Sequence, residues 1–294
     1  MTRRRIGVSL VADAYDFSDF PAALDEAEAL GLDFVELPLF ALHLVAAGRV
    51  LDDRVAALAA VLAGRRLAFS AHGFLDVNFA AAPDALPAHE AVAAAMVTVA
   101  ARLGVDRVVF HAGRLPAGTT AVDAAAAAAR EVDALRRLGA RAADAGVLVV
   151  IENVFRWNGR VTASPAELAA TLAAVDHPAV AACFDVGHGA IAATEAGLDL
   201  AAEAAALAPF ARHVHVHDNF GRPAPERFFH PSEALAFGAG DLHLPLGRGA
   251  LPWDRLLAAG FPADAWFDVE LNARYWPELA DTVARLRALL AAAP

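Results

Sequence analysis

Histidines and acids are unevenly placed along the 294 residues of this chain. His72, His111, Glu152 and Asp185 each close a short apolar run, and His188 follows Asp185 by three positions. Further on come His213-Val-His215-Val-His217-Asp218, then Asp241-Leu-His243, then Glu270. One histidine after an apolar run is more often a hydrogen-bonded structural residue than a ligand, and one terminal acid is often a loop cap. Here seven of eleven histidines (His72, His111, His188, His213, His215, His217 and His243) share that placement. If the ends of those runs meet, Glu152, Asp185, Asp241 and Glu270 crowd into a partly dry space, where like charges and burial both oppose ionisation. A bound cation resolves the conflict. Carboxylates and neutral imidazoles without thiolates suit Zn, Mn, Fe, Co or Mg, with the histidines weighting the choice toward transition metals.

The runs that carry these groups read as strands. They are Ile6 to Val11, Phe34 to Pro38, Leu67 to His72, Arg107 to His111, Val147 to Glu152, Ala181 to Asp185, His213 to His217 and Trp266 to Leu271. Several are apolar on both faces, as strands must be when covered on both sides. Between them, Ala/Leu-rich segments such as Pro21 to Leu30, Asp84 to Leu103, Val122 to Ala145 and Ser164 to Val175 have helical period. Gly31, Gly104 and Gly146 end helices just before strands, and Ser164-Pro165 marks a capped helix start. Eight alternating units predict a single (β/α)8 TIM barrel over residues 1–294. In such a barrel the strands' C-terminal ends converge on one mouth, which brings the histidines and acids together. The long irregular stretch at about 220–249, between the seventh and eighth strands, is expected to be a binding loop or lid.

Composition narrows the function classes. The formal net charge of −11 repels polyanions and makes a nucleic-acid partner an unfavoured reading. The chain contains no lysine, so Schiff-base catalysis by a lysine amine is excluded. The one cysteine, Cys183, sits in an apolar run as a buried thiol, rules out an internal disulfide, and suits a cytoplasmic location. No apolar stretch reaches the ~20 residues of a membrane-crossing helix. Arg3, Arg4 and Arg5 before Ile6 to Ala12 imitate a secretion signal, but Asp13 closes the run and it reads as the first strand.

Period two places His213, His215 and His217 on one face of their strand. His213, the deepest, is expected to support the site from within the barrel. His215 is the expected ligand, and His217 either supports it or touches substrate.

With Ser70-Ala-His72, Val109-Phe-His111-Ala-Gly113, Ile151-Glu-Asn153, Phe184-Asp-Val-Gly-His188, His215-Val-His-Asp-Asn219, Asp241-Leu-His-Leu-Pro-Leu-Gly247 and Val269-Glu270, the chain resembles the xylose-isomerase-like barrel superfamily. That superfamily includes sugar (phosphate) isomerases and epimerases and the endonuclease IV type of AP endonuclease. The resemblance covers nearly the whole sequence. For a sugar epimerase it implies one metal held by Glu152, Asp185, His215 and Glu270. The nuclease pattern adds His72, His111, His188, Asp241 and His243, so the resemblance implies one to three divalent ions.

Two chemistries follow. In the first, a metal-dependent sugar or sugar phosphate isomerase or epimerase, the ion stabilises an enediolate while Glu152 and Glu270, on opposite sides of the reacting carbon, remove and return the proton. His188 then holds the carbonyl-side oxygen. Glu36, at the end of the second strand, is expected on a distal hydroxyl, and Asn153, Trp157, His217, Asp218 and Arg248 complete the expected substrate contacts. A lyase or dehydratase would use the same enolate. The second chemistry is phosphodiester hydrolysis at a trinuclear site, as in the AP endonucleases. A non-catalytic metal-dependent binding protein is a third reading. The expected partner is a small carbohydrate, with no membrane, and barrels of this kind often form homodimers.

Overall fold

A computed structural model describes residues 4–156, 160–224 and 228–293. Trp157 lies outside the described residues. Eight strands close into a barrel: β1 (Arg5–Ser9), β2 (Phe34–Pro38), β3 (Ala68–His72), β4 (Arg107–His111), β5 (Leu148–Glu152), β6 (Val180–Asp185), β7 (Ala211–Val216) and β8 (Trp266–Val269). Each pairs in parallel with its neighbours in sequence, and β8 closes the ring onto β1. The chain therefore folds as the (β/α)8 barrel that the alternating periods predict.

Helices α1 (Phe20–Ala29), α2 (Asp52–Leu62), α3 (Leu86–Leu103), α4 (Ala121–Ala145) and α5 (Pro165–Val175) follow the first five strands. Both α6 (Val186–Ala196) and α7 (Leu200–Leu207) follow β6. After β7 come the short α8 (Pro231–Phe237) and α9 (Trp253–Leu257), and α10 (Leu279–Ala292) follows β8. The start of α5 is a capping box in which Ser164 accepts from the Glu167 N–H and Glu167 accepts from the Ser164 N–H. Gly104 and Gly146 end α3 and α4 at φ of 69°, a left-handed conformation that glycine enters without steric cost.

The strands alternate between two apolar compartments. Val108, Phe110, Val149, Ile151 and Phe184 face outward into the main core shared with the helices. Val109, Val150, Ala181 and Cys183 form a second, smaller cluster of the opposite phase, which places them inside the barrel. On the other side of the interior the corresponding positions are polar and buried: Glu36, Ser70, His213, His215 and Asp268. The floor is aromatic and cationic, with the Arg107 guanidinium 3.7 Å from the Trp266 ring centre and Phe34 4.6 Å from it on centroids.

At the rim, β1 and β8 stop two residues short of the expected Val11 and Leu271. The ladder sets this limit. Ser9 pairs with Glu36 and Val8 with Val269, and beyond them the Leu10 N–H still reaches the Glu36 carbonyl and the Glu270 N–H the Val216 carbonyl before the strands splay. The stretch after β7 is less irregular than expected, since it carries α8 and folds back through a bridge between Asp218 and Leu244. Among the described residues, no helix is long and apolar enough to cross a membrane.

Candidate metal centre

Ladder register assembles the centre. His111 lies beside Glu152, and Asp185 beside His215. An irregularity between Ala182 and Cys183 adjusts the register on the way to that second pairing. Three groups result, the first two sharing Glu152, each with ligand atoms within 4.8 Å of one another: His72, His111 and Glu152; Glu152, Asp185 and His215; His188, Asp241 and His243. A fourth joins His217, His243 and Glu270. Glu152 is the hinge of the arrangement. Its Oε2 is 3.0 Å from His72 Nε2 and 3.5 Å from His111 Nε2, and its Oε1 is 2.9 Å from His188 Nδ1. His215 Nδ1 is 3.7 Å from both Glu152 and Asp185 and 3.2 Å from Glu270. Asp241 Oδ2 lies 3.1 Å from His188 Nε2 and 2.8 Å from His243 Nε2.

Local chemistry fixes these positions. Asp185 caps α6 by accepting from the His188 N–H at 2.6 Å, which ties the two motif residues together. Gly187, between them, leaves room for the His217 ring, since a Cβ there would lie 2.1 Å from His217 Cε1. Asn153 donates to the Asp185 carbonyl and accepts from its N–H, both at 2.9 Å, so β5 holds the end of β6 in register. Asp218 accepts from the Asn219, Gly247 and Leu251 N–H groups and anchors the segment that delivers Asp241 and His243.

Burial alone would push Glu152 and Asp185 toward protonation. For Glu152 the imidazoles of His111 and His215 outweigh it, and for Asp185 those of His188 and His217 do, so both carboxyls stay below the usual range. Burial likewise opposes charge on His188, His215 and His243, but their neighbours win, Asp185 first for His188, Cys183 and then Glu270 for His215, and Asp241 first for His243, which is raised to about 10. His111 goes the other way, with burial dominant and its value lowered to about 4. Asp268 is raised well above the carboxylate range by burial and by the charge of Glu36.

Nine of the expected residues, His72, His111, Glu152, Asp185, His188, His215, Asp241, His243 and Glu270, therefore meet at one mouth. Of the residues expected at substrate, Glu36 lines the cavity at this mouth, and Asn153, His217, Asp218 and Arg248 have protein partners. Glu36 is buried beneath His215, with Oε1 3.2 Å from His215 Nε2 and Oε2 3.0 Å from His213 Nε2. Asn153 and Asp218 spend their side chains on backbone, and Arg248 pairs with Glu278 at 2.8 Å on the exposed rim. His217 Nε2 is 3.2 Å from Asp185, and its ring stacks on His243 at 4.0 Å. Asp268, which hydrogen-bonds Ser9 and groups with Glu36, His213 and His215, belongs to the same buried layer. The signal for it is period two, because Asp268 precedes Glu270 by two positions at the end of β8.

A cavity of about 430 Å³ opens above this layer, with His72, His243, Glu36 and Glu270 in its wall. The donors fit a divalent ion. His111 Nδ1, His215 Nδ1, Asp241 Oδ1 and Glu270 Oε2 are buried without an aligned hydrogen bond, an expensive state for polar atoms that a cation would relieve. His72, His111, Glu152, Asp185, His188, His215, Asp241, His243 and Glu270 would hold it, or more than one.

Among solved structures, a D-tagatose 3-epimerase-like protein superimposes with a TM-score of 0.73 at 19% identity, over 98% of this chain and 97% of that one. The TTHB071 protein from Thermus thermophilus, soaked with ZnCl2, gives 0.70 at 24% identity over 99% and 98%. The 3-keto-D-glucoside 4-epimerase YcjR from E. coli gives 0.67 at 18% over 97% and 100%. No protein of curated function matches at the level of sequence. Residues 24–291 match the xylose isomerase-like TIM barrel family, and the chain belongs to that family.

Proposed function

We propose that the protein is a divalent-metal-dependent isomerase or epimerase of a sugar or related hydroxy-carbonyl compound, acting by proton transfer next to the carbonyl. The observation that carries this reading is the position of Glu270. Its carboxylate lies on the cavity wall, with Oε2 3.2 Å from His215 Nδ1, at the junction of solvent-accessible space and ligand cluster. A cation bound there would stabilise the negative charge that develops on the substrate oxygens when the proton leaves. Glu270 removes the proton from the carbon that faces it in the cavity. Glu152, fully buried and shared among imidazoles, supplies negative charge and orients His72, His111 and His188. Return of the proton from the opposite face is assigned to Glu152, which takes the proton it delivers from His188, whose Nδ1 lies 2.9 Å from Glu152 Oε1. His188 directs Nε2 toward Asp241 and fixes the carbonyl-side oxygen. The similarity to sugar epimerases supports this assignment at the level of fold.

Occupation of all nine positions is the observation behind a second, lesser reading, a phosphoesterase of the endonuclease IV kind, in which the cluster would activate water. One experiment separates the two. Metal-loaded protein is incubated in D2O with a panel of ketoses and ketose phosphates, and in parallel with duplex DNA containing an abasic site. Deuterium uptake beside the carbonyl is the expected result. Strand incision without deuterium uptake would replace the isomerase reading with the phosphoesterase.

A further inference from the structure

The cavity above the cluster has two unlike halves. Its inner end is polar, formed by Glu36, His72, His243 and Glu270. Its outer wall is mainly apolar, with Leu10 and Val11 from the segment after β1, Phe40 after β2 and Leu271 after β8, beside the polar Asp13 and Asn272. Val11 is 59% exposed and Phe40 40% exposed, so this wall offers open apolar surface at the mouth. Phe40 connects the halves, its ring edge-on to His72 with centroids 5.7 Å apart.

The carboxylates around the cavity have no cationic side chain of arginine or lysine among them. Asp13, Glu36 and Glu270 line it, and among the described residues no arginine does, in a chain without lysine. Two neighbouring guanidiniums are committed elsewhere. Arg54 packs on Tyr15 and Phe17 and donates to the Tyr15 and Leu42 carbonyls. Arg248 is held by Glu278, and Arg274, which follows Ala273, is exposed and is not among the lining residues. A phosphate on the far end of a substrate would lose its hydration against aliphatic and aromatic surface and meet Asp13 without a counter-charge. A hydroxyl-rich tail would likewise surrender water for few partners. An alkyl or aryl tail would gain by burial against the same wall.

Resting on the isomerase or epimerase reading, we propose that the substrate is an uncharged hydroxy-carbonyl compound bearing an apolar group, alkyl, aryl or deoxygenated, at the end remote from the histidines. The polar end chelates; the apolar end seats on Val11, Phe40 and Leu271. Phosphorylated sugars are disfavoured by the acids and apolar wall they would meet there.

The test uses metal-loaded protein and three chelators with one head group, acetohydroxamate, phenylacetohydroxamate and its ring 4-phosphono derivative, titrated by calorimetry. The phenyl tail is expected to bind about tenfold tighter than the methyl, and the ring phosphonate to lose that gain. Val11→Arg and Phe40→Arg, at exposed positions outside the ligand cluster, are expected to restore binding of the phosphonate and weaken that of the phenyl tail. Equal affinity for methyl and phenyl tails, or tightest binding of the phosphonate by wild-type protein, overturns the proposal. Deuterium exchange on hydroxy ketones is run alongside. The expected affinity order without any exchange leaves the cavity assignment standing and sinks the proton-transfer reading. Exchange with affinity indifferent to the tail does the reverse.

Discussion

His215 has two ring nitrogens, and the barrel uses both. Nε2 faces the buried Glu36 at 3.2 Å, while Nδ1 faces Glu152, Asp185 and Glu270. The charge of the Glu36 carboxylate beside Nε2 favours the ring proton on that side, which leaves the Nδ1 lone pair for a metal. Glu36 is itself held by Ser9, Ser70 and His213, so the orientation is set by a largely buried layer at the foot of the cavity. Glu36→Ala is therefore expected to lower metal affinity by about 10- to 100-fold, measured by calorimetric titration of Zn or Mn. Unchanged affinity would mean that His215 needs no such support. Glu270 is the complementary case. Glu270→Gln keeps the size and one oxygen but cannot accept a proton, so circular dichroism and bound metal should persist while turnover falls by about 10²- to 10⁴-fold. Turnover at the wild-type rate would remove Glu270 from the chemistry.

At the scale of elements, the junction of β6 with α6 is the tightest part of the site. Asp185 ends the strand, caps the helix, and meets His217 across Gly187, all within four residues. Gly187→Ala forces a methyl into the His217 ring, so a stability loss of about 1–3 kcal/mol is expected in thermal or urea denaturation. A neutral effect would show that the ring has room to move. Asp241 tests a different element, the returning segment between β7 and β8. If more than one ion binds, Asp241→Asn should reduce metal stoichiometry in elemental analysis, whereas an unchanged ratio would assign the centre to the β5 to β8 ligands alone. These elements differ in how far the sequence announces them. The strand ends were readable because a parallel barrel points all its C-terminal ends to one mouth, so His72, His111, Glu152 and Asp185 follow from periodicity. Asp268 was equally available from its two-residue offset to Glu270, but an acid within an apolar run is easily taken for an exception. The placements of Asn153 and Asp218 were not readable, because their partners are backbone groups of Asp185 and of Gly247 to Leu251, brought near only by the closed barrel. Glu36 was readable as an inward residue; its burial under His215 depends on the radius and register of the whole ring.

At the scale of the molecule, the buried charges couple folding to pH in opposite directions. Burial holds His111 and His213 down to about 4, so between that value and the ~6.5 of an unfolded histidine the unfolded chain binds more protons. Their contribution to stability is present above that window and lost as pH falls through it. Burial opposes the charge of Glu36, Glu152, Asp185 and Asp241, but the imidazoles around them depress these carboxyls, which adds a further loss below about pH 4. His72, His188, His215 and His243 act the other way: neighbouring carboxylates, with Cys183 beside His215, overcome burial and raise them, His243 to about 10. What they contribute is complete below the unfolded value and drains as pH rises through their folded values. Metal-free protein is thus expected to be most stable near neutral pH and to lose Tm on the alkaline side. A divalent ion replaces the very protons those histidines carry, so its apparent affinity should rise with pH and its binding should release protons. The Tm difference between metal-loaded and metal-free protein should accordingly widen from about pH 6 to about pH 9, across and above the unfolded histidine value. Scanning calorimetry at intervals across that range measures it directly. A constant or narrowing difference would mean that the raised histidines keep their protons when metal binds, and that the ion is held by carboxylates without them.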